Sequence, residues 1–294
     1  MSAARSLNWL LISSLSALLC LVSPPLSARS VPPWSKAKTP SEGTAQSLGF
    51  YSEGCLRAGV ALEARAPGLR SVRRSRNRYY GHPELLATLY QIGEELEAEG
   101  LKPALVGDLS QPRGGLMTFG HKSHQSGLDA DIWFGVSLKG KSAVMGREER
   151  LNPKVWSARH ESLLRIAAQQ RLVERIFVHW RIKAELCQRS EPPAWIRKLR
   201  PWFGHDKHFH IRLSCPKDSE ACEAQEPLPE GLGCEPEHLK WFSALEARAR
   251  RLKGGEEKPP LTEAEREQKR AAAKARRERS ARRAALCQPL SPKR

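Results

Sequence analysis

The sequence predicts an α+β fold, and three observations predict it. Short apolar segments of strand character alternate with segments of helical periodicity, but in no regular strand–helix–strand repeat, which argues against a doubly wound parallel sheet. The 294 residues are long enough to bury a proper core. Of the seven cysteines, six remain once an amino-terminal leader is set aside. An even number in an exported chain argues for disulfides and an oxidising compartment.

The elements follow in order. Arg5 gives a positively charged start, residues 7–22 form an apolar run short for a membrane span, and Leu26-Ser27-Ala28 supplies small residues for cleavage. This reads as a secretory leader over 1–28, and its removal takes Cys20 with it. Leu19 stands where lipid attachment at Cys20 would need a small residue, so no lipoprotein is expected. Residues 30–46, rich in Pro, Ser and Lys, read as a loose mature N-terminus. Residues 83–99 set Leu85, Leu86, Leu89, Ile92 and Leu96 at helical spacing, with Pro83 in the first turn and Gly100 at the stop. Residues 104–108 and 128–134 have strand character, and 107–120 reads as a loop rich in Gly, Pro and Arg. A helix is expected over 161–171, a strand over 172–179, a helix over 181–188, a strand over 209–213 within 208–213, and an amphipathic helix over 236–252.

From Arg251 the composition changes. Lys and Arg dominate 266–283, with Ala interleaved and no aromatic residue, and Thr262 with Glu265 suits a capping box on an exposed helix. The expected division is a leader over 1–28, a principal domain over 29–250 and a basic segment over 251–294. The formal net charge of +17 suits anionic partners such as murein, lipid headgroups or lipopolysaccharide. The basic segment is the natural contact for such an envelope surface, although a solvated charged helix without a partner explains it as well. With an export signal, nucleic acid is not expected. Nothing in the sequence sets the oligomeric state.

Two windows carry the chemistry. One runs from Phe119 to Trp133, the other from Trp202 to Leu213, and together they hold five of the nine histidines. On a strand, period-two alternation puts His208 and His210 on one face and Phe209 and Ile211 on the other. A turn at Gly127 followed by a strand would bring Asp131 back toward His124. A carboxylate beside Ile132 and Trp133 needs a partner to offset its desolvation, and a metal ion is the natural one. His124, Asp131 and His210 then supply two nitrogens and one oxygen. Three protein ligands with an open position describe catalytic rather than structural Zn²⁺. His208, on the face of His210, suits a general base. His205 or His121 is available to stabilise an oxyanion, and Asp129 shares the face of Asp131 and suits support of a ligating imidazole. His82 reads as a helix-start residue, and His160, His179 and His238 carry no pattern.

The segments from Gly120 to Asp131 and from Trp202 to His210 closely resemble the penicillin-insensitive murein endopeptidases. These belong to a zinc-peptidase group that also holds lysostaphin-type enzymes, D-Ala-D-Ala dipeptidases and the hedgehog-like domain. Arg76 to Pro83 and Arg175 to His179 are similar too, so the likeness runs from about residue 47 to 245. The resemblance implies a small antiparallel sheet flanked by helices and crossed by disulfides. It implies Zn²⁺ on His124, Asp131 and His210, with His208 catalytic; beside these, His121 is counted with the metal residues and His205 with the catalytic ones, and the sequence leaves open whether either is a ligand, catalytic or a support to the ligands. It implies hydrolysis of the D-alanyl–meso-diaminopimelyl cross-link of peptidoglycan, without sensitivity to β-lactams because no serine is acylated. Six cysteines allow many connectivities; the resemblance favours Cys55 with Cys287, Cys187 with Cys234 and Cys215 with Cys222. His179-Trp180 and Phe119 depart from the family pattern, and Phe119 would change the cleft wall. Two other readings share these features: a murein-binding protein with a degenerate metal site, and an exported metal-dependent nuclease. The intact ligand set argues against the first and the scarcity of carboxylates against the second.

Overall fold

The computed structural model describes residues 33–138, 144–145, 151–254 and 262–292, and the expected leader lies outside the described residues. The chain opens on a hairpin, β1 (Gln46–Phe50) and β2 (Glu53–Arg57). Then come β3 (Val60–Ala61), β4 (Arg65–Ala66), β5 (Leu69–Ser71), β6 (Tyr80–Gly81), α1 (Pro83–Ala98) and β7 (Ala104–Val106). The second half carries β8 (Asp129–Trp133), α2 (Ala158–Gln169), β9 (Val173–Val178), α3 (Trp180–Cys187), β10 (Leu199–Pro201) and β11 (His208–Leu213). Two helices close the chain, α4 (Pro236–Lys253) and α5 (Glu263–Cys287).

The α+β class holds, and the main sheet is larger and more mixed than the small antiparallel sheet expected. Seven strands among the described residues run in the order β10-β9-β11-β8-β7-β5-β4. The centre is antiparallel, β9 with β11, β11 with β8 and β8 with β7. Toward the edges β5 runs parallel to β7 and β9 parallel to β10. Parallel neighbours need a long crossover, and α1 lies between the first pair in the chain as α3 lies between the second. Neither β10 nor the β1–β2 hairpin is legible beforehand. β10 is three residues ending in Pro201, and the hairpin sets Gly49 opposite Gly54, which removes the alternating side chains that signal a strand.

Helix α1 follows its pattern. Leu85, Leu86, Leu89, Ile92 and Leu96 are buried, and His82 caps the start, its Nδ1 accepting from the Glu84 amide at 3.3 Å. Helix α2 begins at Ala158, before the expected 161, because Ser157 and His160 form a capping box. A histidine stands where that box usually has Glu or Gln, which hid the signal. Helix α3 is likewise capped by His179, whose Nδ1 accepts from the Arg181 amide at 3.2 Å. Three of the four histidines outside the two windows are therefore helix-start residues. His238 is the fourth, an exposed partner of Glu235.

One apolar core joins α1, α2, α3 and the main sheet, with Ala130, Ile132, Phe209 and Ile211 fully buried in it. Disulfides join Cys55 to Cys287, Cys187 to Cys234 and Cys215 to Cys222. The first spans 232 residues and gathers Leu48 and Leu290 into a second small cluster that seats the end of α5 on the hairpin. The basic segment is thus tied back to the body rather than free.

Candidate metal centre

The site is the polar face of the β8–β11 pair. In register, His208 lies opposite Trp133, His210 opposite Asp131 and Arg212 opposite Asp129. Opposed residues of an antiparallel pair share a face. The alternation that sends Ala130, Ile132, Phe209 and Ile211 into the core therefore sends three pairs of polar or aromatic side chains to the other side.

The loop before β8 completes the site. Gly127 has φ +78, and a Cβ there would meet the Leu56 side chain at 2.7 Å, so only glycine fits this turn. The turn returns Asp131 to His124, whose own backbone is left-handed at φ 66, a costly conformation for a residue other than glycine. Two contacts hold the loop there. The His124 amide donates to Asp129 Oδ2 at 2.9 Å, and the Gln125 amide donates to Tyr51 O at 3.0 Å at the end of the hairpin.

Asp129 organises the face. Its Oδ1 accepts from His210 Nε2 at 2.8 Å and from Arg212 Nε at 2.8 Å. Burial acts to raise the Asp129 pKa, but Arg212 and His210 outweigh it and hold the group ionised, far below the usual carboxylate range. Because the carboxylate only accepts, His210 carries its proton on Nε2 and presents a bare Nδ1, 3.6 Å from Asp131 Oδ1. Burial pushes His210 down to about 4, so it is neutral at ordinary pH, as a metal ligand must be.

Asp131 is the hub. Its Oδ1 lies 3.4 Å from His124 Nε2, and its Oδ2 lies 3.5 Å from both His121 Nε2 and His208 Nε2. Burial acts to raise Asp131, but the surrounding imidazoles hold it well below the usual range. His121, His124 and Asp131 offer donor atoms within 4.8 Å of one another. The residues fit a metal ion on a further ground. Both ring nitrogens of His124 and the Oδ1 of Asp131 are buried and make no hydrogen bond. A buried polar atom without a partner is costly, and Asp131 Oδ1 lies 3.4 Å from His124 Nε2 and 3.6 Å from the bare Nδ1 of His210.

His208 and His205 stand to one side. The His208 ring is 5.3 Å from Trp133 and 5.0 Å from His205, and burial lowers its pKa. His205 Nδ1 lies 2.7 Å from Phe203 O, so it donates there and the neutral ring turns an accepting Nε2 outward. Burial pushes His205 down to about 3. In that state its Nε2 accepts a hydrogen bond and carries no proton to donate to an oxyanion. Two residues escaped the sequence reading. Asp108, buried after β7, receives Arg76 at 3.0 Å, Arg78 at 3.1 Å and His121 Nε2 at 3.4 Å on the same oxygen. Burial acts to raise Asp108, but His121 and Arg76 hold it at about 2. Arg212 is the second, since a charge inside an apolar strand hides until its partner is known. Phe119 is exposed at the rim, with the Arg78 guanidinium 4.2 Å above its ring.

Residues 47–273 match the family model described as penicillin-insensitive murein endopeptidase. The chain belongs to that peptidase family. It is similar to proteins named penicillin-insensitive murein endopeptidase in several bacteria. That of Haemophilus influenzae is 42% identical over 224 residues, covering 71% of this chain and 78% of the relative. That of Klebsiella pneumoniae is 39% identical over 222 residues, covering 71% and 81%. That of Yersinia enterocolitica is 35% identical over 261 residues, covering 85% and 92%. The family match takes in every residue of the centre described above, from Asp108 to Arg212.

Proposed function

We propose that this chain is an exported, Zn²⁺-dependent endopeptidase of peptidoglycan that hydrolyses the D-alanyl–meso-diaminopimelyl cross-link and is indifferent to β-lactams. One observation carries the reading: the partnerless buried atoms of His124 and Asp131 beside the bare Nδ1 of His210, in a chain of the murein endopeptidase family. His124, Asp131 and His210 hold the ion, and His121 is near enough to join them. Zinc fits a set of two imidazoles and one carboxylate with an open position. Such an ion acidifies water and polarises a carbonyl.

The other residues divide the remaining work. Asp129 fixes the tautomer and angle of His210, and Arg212 fixes Asp129. His208, beside the ligands on β11, takes a proton from the attacking water and returns it to the leaving amine. His205, with its ring 5.0 Å from that of His208, offers an accepting Nε2 beside it. No serine forms an acyl intermediate, which is why β-lactams would not trap the enzyme.

The leader over 1–28 and the disulfides suit a periplasmic protein, with the catalytic domain over 29–250. The basic segment over 251–294 suits contact with an anionic envelope surface. Digestion of purified sacculi tests the activity. Mass spectrometry should show dimeric muropeptides converted to monomers by loss of that cross-link, with or without penicillin. Chelation should stop the reaction and Zn²⁺ should restore it. Intact dimers after incubation with zinc-loaded enzyme would reject the reading.

A further inference from the structure

Arg73 is a cation of the cleft with no carboxylate in direct contact among the described residues, although Asp108 and Asp131 act on its charge from further off. Arg76 and Arg78, from the same segment between β5 and β6, both reach Asp108. Arg73 instead lays its guanidinium over the Trp133 ring, with Cζ 4.1 Å from the centroid. Among the described residues its side chain makes no hydrogen bond or ion pair; its backbone carbonyl accepts from the Arg76 amide at 3.0 Å. Trp133 shares the strand face of Asp131, and its ring is 5.3 Å from His208. The guanidinium therefore lies on the metal-facing side of the sheet, one ring away from His208. The indole is itself pinned, its Nε1 donating to Gly107 O at 2.5 Å. The Arg73 backbone is left-handed at φ 55, as at His124, a costly choice for an arginine unless its side chain must point this way.

We propose that Arg73 is a specificity residue that binds the free carboxylate next to the scissile amide on the leaving side of the substrate. The inference rests on the endopeptidase reading above. In a D-alanyl–meso-diaminopimelyl link, the carbon bonded to the scissile nitrogen carries a free carboxylate, so an anion enters the cleft beside the bond being cut. A guanidinium held flat on an indole keeps its N–H edge free for two parallel bonds to a carboxylate, and stacking limits the ordering needed on binding. Arg76 and Arg78 are already engaged with Asp108, each through one guanidinium nitrogen.

The test uses the mature, zinc-loaded enzyme and two cross-linked muropeptides that differ only in whether that carboxylate is free or carried as the carboxamide. The wild type should prefer the free carboxylate by about 10- to 100-fold in kcat/KM, the range of a charge-assisted pair. Arg73→Gln should bring the ratio close to one, chiefly by raising KM for the carboxylate substrate, with zinc content unchanged. Arg73→Lys should recover part of the preference. Equal slowing of both substrates in Arg73→Gln would overturn the assignment, because a structural or oxyanion role acts on both. So would a wild type that cuts both equally, which leaves the endopeptidase reading standing. A wild type that cuts neither overturns that reading, and this inference with it.

Discussion

The β8–β11 face and helix α5 are both crowded with charge, and they use it in opposite ways. On the sheet, Asp129, Asp131, His210 and Arg212 are buried; neighbouring groups hold the two carboxylates ionised, and burial holds His210 neutral. On α5 the arginines and lysines face water, and Arg283 is the one that is buried. Arg212 and Arg283 make the contrast clear. Both sit over an aromatic ring, Tyr51 at 4.1 Å and Phe50 at 4.9 Å, and both engage carboxylates. Arg212 holds Asp129, the carboxylate that orients the His210 ring, whereas Arg283 holds a helix to a hairpin through Glu53 and Glu223. Charge density therefore does not locate the chemistry. Buried polar atoms left without partners narrow it only where they fall on neighbouring groups able to hold a metal, as at His124 and Asp131; Ser47, Arg159 and Arg181 carry such atoms too.

The largest effects should separate the two histidines of β11. His210→Ala should lose both bound zinc and activity. His208→Ala should keep zinc and lose turnover by about 10²- to 10⁴-fold, the usual scale for a general base. Metal analysis beside muropeptide kinetics reads both, and zinc loss in His208→Ala would show that the two residues share one role. The next effect belongs to the other region. Replacing Cys55 and Cys287 together by Ser should lower stability by about 5 kcal/mol through the 232-residue loop it reopens, while the folded enzyme keeps its zinc and its kcat. A variant that folds but loses zinc would break the contrast by coupling α5 to the centre.

The smallest is a pH effect. Asp108 sits at about 2, below its unfolded value of 3.8. As pH falls the unfolded chain takes up this proton first, so the contribution is complete above about pH 4 and is lost toward pH 2. The shift corresponds to about 2 kcal/mol. Denaturant titration of metal-free protein should show that slope, and Asp108→Asn should flatten it.

That His208 and His210 share a face with Asp131, and that a turn returns Asp131 to His124, was legible because period-two alternation on 208–213 and the glycine at 127 fix faces and turns locally. Asp129 was legible for the same reason. Asp108 was not, because it follows a three-residue strand and its partners Arg76 and Arg78 come from a distant segment. Arg73 was hidden likewise, since nothing local says that its side chain crosses to Trp133. The sheet's parallel edges were missed because β5 and β10 are too short to show a pattern. The starts of α2 and α3 were missed because histidines cap them.

Crystals of the zinc-loaded protein, with diffraction recorded on either side of the zinc absorption edge, test the centre most directly. The anomalous peak should lie between His124 Nε2 or Nδ1, Asp131 Oδ1 and His210 Nδ1, at about 2.0–2.2 Å from each donor. A peak elsewhere, or one that leaves His210 Nδ1 out of bonding range, would contradict the account.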